Sequence, residues 1–214
     1  MSSSSVSLQQ NDPTELLEVF DAAGQPTGVA KSRASIHLAG DWHQAFHCWI
    51  VRQAGSEIVL QRRSFVKDTF GGLWDASAAG HWRYGETAQE AAREIAEELG
   101  LDVDFRKLTY RGREVSERVF PNGLTDREHH QVYVLDSDLP LSAYRPDPRE
   151  VIGVAAFPAA GLVAVLSGTA PRVAAVEAIA VALDGQVSAA RLEVSRAELV
   201  PYSAERIRGM LGWA

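Results

Sequence analysis

Residues 80–101, GHWRYGETAQEAAREIAEELGL, decide the fold of this chain because they join a helical pattern to a high density of glutamates. Apolar residues recur at helical spacing and form one stripe: Ala88, Ala91, Ala92, Ile95 and Leu99. Thr87 and Glu90 make a capping box before this stripe, and Gly100 supplies a stop after it. The stretch therefore predicts an amphipathic helix over residues 88–99.

The same helix carries three carboxylates on one face. Glu94, Glu97 and Glu98 stand at positions i, i+3 and i+4. Like charges at this spacing destabilise an isolated helix by about 0.2–0.5 kcal/mol per pair. A hard divalent cation is the counter-charge that such a cluster favours, and Mg²⁺ in particular prefers oxygen ligands. The alternative interpretation is a solvated helix face.

The spacing of these residues resembles the Nudix box, in which a glycine, a glutamate and a helical Arg-Glu-x-x-Glu-Glu-x-Gly segment follow one another. Gly80 and Glu86 match the first half, and residues 93–101 match the second half. The chain departs from the pattern at one place, since only six residues, 87–92, separate Glu86 from Arg93 instead of seven. The resemblance implies an α/β fold, a Nudix-type α/β/α sandwich with a mixed β-sheet packed between helices.

The resemblance also implies a reaction, the metal-dependent hydrolysis of a diphosphate linkage in a nucleoside diphosphate derivative or another small organic diphosphate. It predicts Mg²⁺ or Mn²⁺ bound by Glu94, Glu97, Glu98 and the backbone carbonyl of Ala79. The candidate general bases are Glu94, Glu98 and Glu128. Gly80, Glu86 and Arg93 are expected to support the loop. Arginine forks match phosphate oxygens, so the candidates for holding the substrate are Arg62, Arg63 and Lys67.

Segments outside the box are similar to the Nudix branch that includes type I isopentenyl-diphosphate isomerase: residues 41–46, 60–64 and 72–81. That isomerase has a cysteine just before the motif glycine, where this chain has Ala79. It also has a Glu-x-Glu pair on a later strand, of which Glu128 keeps the first member and His130 replaces the second. His43 and His81 fall where isomerase metal ligands lie. We predict a hydrolase, with an isomerase-like enzyme and a catalytically silent ligand-binding module as alternatives.

Patterns elsewhere predict further elements and a domain division. Two segments, 16–20 and 27–30, flank a turn and predict a hairpin, and an ordered loop is expected over 64–79. Strands are expected at 45–51, 57–62, 108–110, 113–119, 131–135, 151–157 and 192–194. Helices are expected at 159–166, 173–183 and 204–211. We expect a disordered tail at 1–13, a Nudix domain at 14–160 and a helical extension at 161–214 packed on the same domain.

Composition limits the possible partners and location. The net charge of −7 argues against binding to nucleic acid or to a membrane surface. Cys48 is the only cysteine, which fits a reducing cytoplasm, and it lies in an apolar run typical of a core residue. The first residues lack the basic and apolar regions of a secretory signal. We therefore predict a cytoplasmic enzyme acting on a small-molecule diphosphate, with homodimerisation possible by family resemblance.

Overall fold

The computed structural model of the protein describes residues 15–121 and 123–213, so the tail predicted at 1–13 lies outside the described residues. The strands are β1 Leu16–Phe20, β2 Pro26–Ser32, β3 Trp42–Arg52, β4 Glu57–Arg63, β5 Trp74–Asp75, β6 Ala78–His81, β7 Leu108–Val119, β8 Thr125–Asp136, β9 Val151–Pro158, β10 Arg172–Ala174, β11 Glu177–Val181, β12 Val187–Ala189 and β13 Glu193–Ser195. The α-helices are α1 Arg33–Ala39, α2 Ala88–Ala91, α3 Arg93–Leu99, α4 Ala159–Leu166 and α5 Ala204–Leu211.

One large sheet organises the described chain. Its main path runs β12-β11-β9-β4-β3-β1-β2, with β5 paired to β4, β6 and β8 paired to β3, and β7 paired to β8. The β3–β8 pair is parallel, and the other strand pairs of this sheet are antiparallel. The α/β class and the mixed sheet predicted from the sequence are therefore confirmed.

The two faces of β3 pack against different helices, because successive side chains of a strand point to opposite faces. Phe46, Cys48 and Ile50 belong to one core cluster, together with Ile95 and Leu99 of α3. Trp49 and Val51 belong to a second cluster that contains residues of α4 and α5. The helix α3 carries Glu94, Glu97 and Glu98 and is called the glutamate helix. It consequently lies on the opposite side of the sheet from the C-terminal helices α4 and α5.

The predicted helix over 88–99 is divided into α2 and α3 by a turn at Ala92, whose φ and ψ are −65° and −7°. The capping box of Thr87 and Glu90 is present as predicted. Gly100 ends α3 in the left-handed conformation, with φ of 65°, as glycine readily does. The interruption falls inside the shortened interval between Glu86 and Arg93.

The helix predicted at 173–183 is wrong, because this segment forms β10 and β11. Its run of alanine and valine is compatible with either periodicity, and long-range pairing decides between them. β11 pairs with β9 on one side and β12 on the other. The extension at 161–214 is therefore not wholly helical, although the helices predicted at Ala159–Leu166 and Ala204–Leu211 are confirmed.

Most other predicted elements are present with shifted bounds. The hairpin is formed by β1 and β2. The strands predicted at 108–110 and 113–119 are one strand, β7, whose register against β8 shifts between Tyr110 and Gly112. The segment 64–79 is mainly loop but also contains β5 and the start of β6. The sequence of β6 shows little alternation of polar and apolar residues, so this strand is specified by its pairing with β3.

Candidate active site

Glu86 and Arg93 close the loop that precedes the glutamate helix. Arg93 Nε donates to Glu86 Oε1 over 2.8 Å, and Arg93 Nη2 donates to the His81 carbonyl over 3.2 Å. The turn between α2 and α3 lets this pair form despite the shortened interval. A Cβ at Gly80 would overlap the Glu94 carboxylate, so a larger residue here would displace this end of the Glu94 side chain.

Glu98 is fixed against β6 by hydrogen bonds. Its Oε2 accepts from the Ala79 N–H over 2.8 Å and from Gln61 Nε2 over 2.7 Å. Lys67 Nζ lies 3.9 Å from Oε1. Burial raises the pKa of Glu98, while Lys67 and the Ala79 N–H act in the opposite direction. The backbone of Ala79 thus contacts Glu98 through its N–H group, and the predicted metal role of the Ala79 carbonyl stays a prediction.

Glu94 and Glu97 are both paired with Arg93. The Glu94 carboxylate contacts Arg93 Nη1, and Glu97 Oε2 lies 2.9 Å from the same nitrogen. Burial raises the pKa of Glu94, and the Arg93 charge opposes that rise. The three groups of His, Cys, Asp or Glu atoms that converge within 4.8 Å in the described chain contain no glutamate of α3. Metal binding by these glutamates accordingly stays a prediction.

The three predicted substrate-binding residues have different surroundings. Arg62 Nε donates to the Gly72 carbonyl over 3.0 Å. Arg63 Nη1 donates to Asp75 Oδ2 over 3.0 Å. Of the three residues, Arg63 is the one that lines a cavity of about 70 Å³ beside β6. Lys67 is paired with the Glu150 carboxylate. The structure therefore brings Arg63, but neither Arg62 nor Lys67, to the cavity wall.

A second cluster of ionisable groups lies on the other face of β3. Its members come from α1, β3, β6 and β8, and they are His37, His43, His81, Asp126 and Glu128. The centroids of the three imidazole rings lie 5.1–5.2 Å apart. His43 Nε2 is 3.6 Å from Asp126 Oδ1 and 3.8 Å from Glu128 Oε1. His81 Nε2 is 3.7 Å from the same Glu128 oxygen. We call these five residues the histidine–carboxylate cluster.

Several atoms of this cluster are buried without a hydrogen-bond partner: His37 Nε2, His43 Nε2 and Asp126 Oδ1. A buried polar atom without a partner costs about 1–3 kcal/mol. A bound cation would satisfy such atoms, since His43 forms one candidate ligand group with His37 and His81 and another with Asp126 and Glu128. The residues therefore fit a metal ion.

The pKa values in the cluster agree with that fit. Burial lowers the pKa of His37 to about 4 and also lowers the pKa values of His43 and His81. The rings are thus neutral at pH 7, as metal ligands must be. Burial and the nearby Glu128 charge raise the pKa of Asp126. For Glu128, burial raises the pKa, but the neighbouring His130 and the cluster histidines lower it well below its ordinary value.

Three imidazoles and two carboxylates suit a first-row divalent transition ion better than Mg²⁺, which favours oxygen ligands. The Mg²⁺ or Mn²⁺ predicted from the sequence was assigned to the glutamates of α3, so this cluster is a separate candidate site.

Sequence reasoning missed His37 and Asp126. Asp126, Glu128 and His130 alternate along β8 and share one face, which was a usable signal. The resemblance to the isomerase matched Glu128 and His130 to the two members of its Glu-x-Glu pair. The structure instead places Asp126 beside Glu128 in the cluster. His37 had no local signal, because its helix meets β3 and β8 only through the tertiary fold.

A cavity of about 70 Å³ opens onto the cluster. Polar and charged side chains dominate its wall. Besides Arg63 and cluster residues, the lining includes Arg33, His47, Asp75, Ser116, Arg118, His130 and Tyr202. Backbone from Ala79 and Gly80 also reaches the cavity. A polar organic ligand therefore fits this wall better than a hydrocarbon chain does.

Comparison with known proteins assigns the family. A model of the NUDIX domain matches residues 41–177, which is more than half of the chain. The chain therefore belongs to the Nudix family, and the predicted family is confirmed.

Curated relatives come from both branches considered above. An uncharacterised Nudix hydrolase of Clostridium acetobutylicum is 34% identical over 142 residues, which cover 65% of this chain and 68% of that protein. An isopentenyl-diphosphate Δ-isomerase of Brevibacterium linens is 33% identical over 144 residues, which cover 64% and 73% of the two chains. Nudix hydrolase 3 of Arabidopsis thaliana is 35% identical over 151 residues, but this match spans only 19% of that protein.

A solved structure supports the fold. The Deinococcus radiodurans protein DR0079 superposes with a TM-score of 0.54 at 20% identity, covering 72% of this chain and 90% of that one. Within the described residues, no helix has the length and apolar character needed to cross a membrane.

Proposed function

We propose that this protein is a metal-dependent hydrolase that cleaves a diphosphate linkage in a nucleoside diphosphate derivative or another small organic diphosphate. One observation carries the proposal: β6 connects two acidic sites. The Ala79 N–H binds Glu98 on one side, and His81 faces Glu128 on the other. The proposal places the diphosphate in the cavity beside β6, where Arg63, Arg118 and residues of the histidine–carboxylate cluster line the wall.

The histidine–carboxylate cluster would hold one divalent ion, and Glu94, Glu97 and Glu98 would hold Mg²⁺ or Mn²⁺. Such ions neutralise phosphoryl oxygens and lower the pKa of water. The water oxygen bonds to phosphorus, the bridging P–O bond breaks, and the departing phosphate keeps its electron pair. The water proton goes to Glu94, Glu98 or Glu128. Burial raises the pKa of Glu98 towards neutrality, where a general base is effective.

Positive side chains would orient the substrate. Arg63 and Arg118 line the cavity beside the cluster and supply donors for phosphate oxygens. Lys67 approaches Glu98 from the other side and, with Arg62, is proposed to contact the second phosphate. The organic group would face the polar part of the wall near Ser116 and His47.

An isomerase-like reaction is the second candidate, because His43 and His81 fall where isomerase ligands are expected and several curated relatives carry that name. Two features favour hydrolysis. Ala79 stands where the isomerase cysteine is expected. Cys48 cannot replace it, since its side chain lies on the opposite face of β3 in the apolar core, where burial raises the pKa of the thiol.

A substrate screen tests the proposal. Phosphate release from nucleotide sugars, dinucleotides, nucleoside diphosphates and prenyl diphosphates should be measured with Mn²⁺ or Mg²⁺, alongside isomerisation of isopentenyl diphosphate. We expect phosphate release that is lost in Glu98→Gln and Glu97→Gln and retained in the control Glu193→Gln, an exposed residue of β13.

The alternatives give different results. Turnover at the wild-type rate in both glutamine variants would refute the metal role of α3. Isomerisation without phosphate release would select the isomerase. Calorimetric binding of a diphosphate with no turnover would select a silent binding module.

We further propose that the protein acts in a reducing cytoplasm on a small molecule, and that it forms a homodimer. Its single cysteine and negative net charge support the first two points. The oligomeric proposal is tested by light scattering of the full chain.

A further inference from the structure

Arg206 of α5 reaches the edge of the active site and contacts two stacked histidines. The His47 and His130 rings lie 3.9 Å apart, centroid to centroid, with an interplanar angle of 16°. Arg206 Nη2 is 3.1 Å from His130 Nδ1 and 3.4 Å from His47 Nδ1. An Nη2 group carries two N–H bonds, so this one nitrogen can donate to both rings.

These contacts fix which nitrogen of His130 carries the proton. A guanidinium only donates hydrogen bonds, so Nδ1 must accept and cannot itself be protonated. The proton of the neutral ring then resides on Nε2. His130 Nε2 lies 2.7 Å from Glu128 Oε2 and therefore donates to it. If both ring nitrogens of His130 carried protons, the Nδ1–H group would face an N–H group of Arg206, and neither could accept a hydrogen bond.

This proton arrangement separates the two oxygens of Glu128. Oε1 faces His43 and His81 in the histidine–carboxylate cluster. Oε2 accepts the hydrogen bond from His130. His47, Glu128 and His130 are close enough together to resemble a further metal site. However, an Nε2 that carries the ring proton has no lone pair to give to a metal, so Arg206 excludes this group as a site.

We propose that Arg206 is a positioning residue. It fixes His130 as a hydrogen-bond donor, and His130 in turn holds Glu128 with Oε1 directed at the histidine–carboxylate cluster. The proposal rests on the proposed function for its metal, and its proton arrangement is a property of the protein alone. Partners of metal ligands commonly tune affinity in this way, and their loss costs about 10–100-fold in metal affinity or activity.

Arg206 is itself held by an ion pair and by packing against an aromatic ring. Its Nε lies 2.6 Å from Glu114 Oε2 on β7. Its guanidinium packs over the Tyr202 ring, 4.4 Å from the centroid, and Tyr202 in turn donates to Asp75. The helix that carries Arg206 begins at a Ser203 cap. The C-terminal segment therefore contributes directly to the surroundings of the histidine–carboxylate cluster.

Ring ¹⁵N NMR of the metal-free protein tests the proton assignment. We expect His130 to show a protonated Nε2 and an unprotonated Nδ1 in the wild type, with its signals identified by their loss in His130→Gln. Arg206→Met should shift them towards a mixture of tautomers. Arg208→Met is the matched control, since Arg208 lies on the same helix and is paired with Glu205. A protonated Nδ1 in the wild type would overturn the assignment.

Titration with Mn²⁺ followed by electron paramagnetic resonance tests the positioning role. It is made in the Glu97→Gln/Glu98→Gln background, so that the histidine–carboxylate cluster is the site observed. Arg206→Met should weaken Mn²⁺ binding by about tenfold, and Arg206→Lys should recover part of the loss. His130→Gln keeps a side-chain N–H near the Nε2 position, so it should bind nearly as well as the wild type. In that background Arg206→Met should have no further effect.

The possible failures are distinguishable. Equal weakening by Arg206→Met in both backgrounds, or no weakening in either, would overturn the positioning role. Wild-type protein that does not bind Mn²⁺ would refute both metal binding at the histidine–carboxylate cluster and the positioning role. The NMR spectra would still decide the proton assignment of His130.

Discussion

At the scale of single residues, adjacent histidines have unrelated environments because they alternate across β8. His130 faces the cavity and contacts Glu128. His129 faces the other way, stacks on Trp42 with 4.9 Å between centroids, and lies with Nε2 2.9 Å from the Asp21 carbonyl. Sequence adjacency therefore said nothing about a shared role.

Gly80→Ala tests the close approach of β6 to the glutamate helix. The added Cβ would overlap the Glu94 carboxylate, which is the movable end of its side chain. We therefore expect this carboxylate to shift, with a loss below about 1 kcal/mol in the free energy of unfolding and with reduced activity. Urea unfolding monitored by tryptophan fluorescence gives the first quantity. Gly209→Ala is the control, since a Cβ added at this position of α5 meets no other part of the described chain within 4 Å. Wild-type activity in Gly80→Ala would contradict the proposed role of Glu94 beside β6.

At the scale of elements, the strand β3 separates the two chemical sites by its alternation. Its His43 and His47 face the cavity side, and its Phe46 and Cys48 face the glutamate helix. The parallel register places His43 opposite Glu128. The cluster depends on this register, because a slip of one residue would turn Glu128 to the other face.

Proline substitutions distinguish the observed strand β11 from the helix predicted there. Ala180 lies within a strand paired on both sides, so Ala180→Pro removes a ladder hydrogen bond and should cost about 3 kcal/mol or more. Leu183 follows the strand in a turn closed by the Gly185 N–H and the Ala182 carbonyl, where proline is favoured. Leu183→Pro should therefore be nearly neutral in thermal unfolding. Similar losses in both variants would contradict the turn.

At the scale of the whole molecule, distant parts of the chain meet at one cavity. α1, β3, β6 and β8 supply the cluster, and the C-terminal segment supplies Tyr202 to the wall and Arg206 to its edge. Such a site is assembled only when the sheet is complete. Its occupation by an ion should then stabilise the entire fold by mass action.

Addition of Mn²⁺ should raise the melting temperature. At one hundred times the dissociation constant the gain is about 2.7 kcal/mol, or about 5–10 °C for a chain of this size. Asp126→Asn should remove the part of the rise that comes from the histidine–carboxylate cluster. It should not lower the metal-free melting temperature, because it removes a buried carboxylate whose Oδ1 lacks a hydrogen-bond partner. Glu193→Gln should retain the rise. A full rise in Asp126→Asn would contradict metal binding at the histidine–carboxylate cluster.

Local sequence by itself determined the family, the capping box, the Gly100 stop, the carboxylate face of α3 and the helices α4 and α5. These features depend on spacings of a few residues, which the chain geometry converts directly into local structure. The same reasoning located Glu86 and Arg93, which the structure joins by a hydrogen bond.

Only the tertiary structure decided the division of the box helix, the strand at β11 and the joining of His37 and Asp126 to His43, His81 and Glu128. Strand pairing and burial depend on partners far away in sequence, so an alanine- and valine-rich run or an isolated histidine has no local signal of its fate. Arg206 is the extreme case: its distance from Glu128 in sequence is large, and only the docking of α5 against the sheet brings its guanidinium to His130.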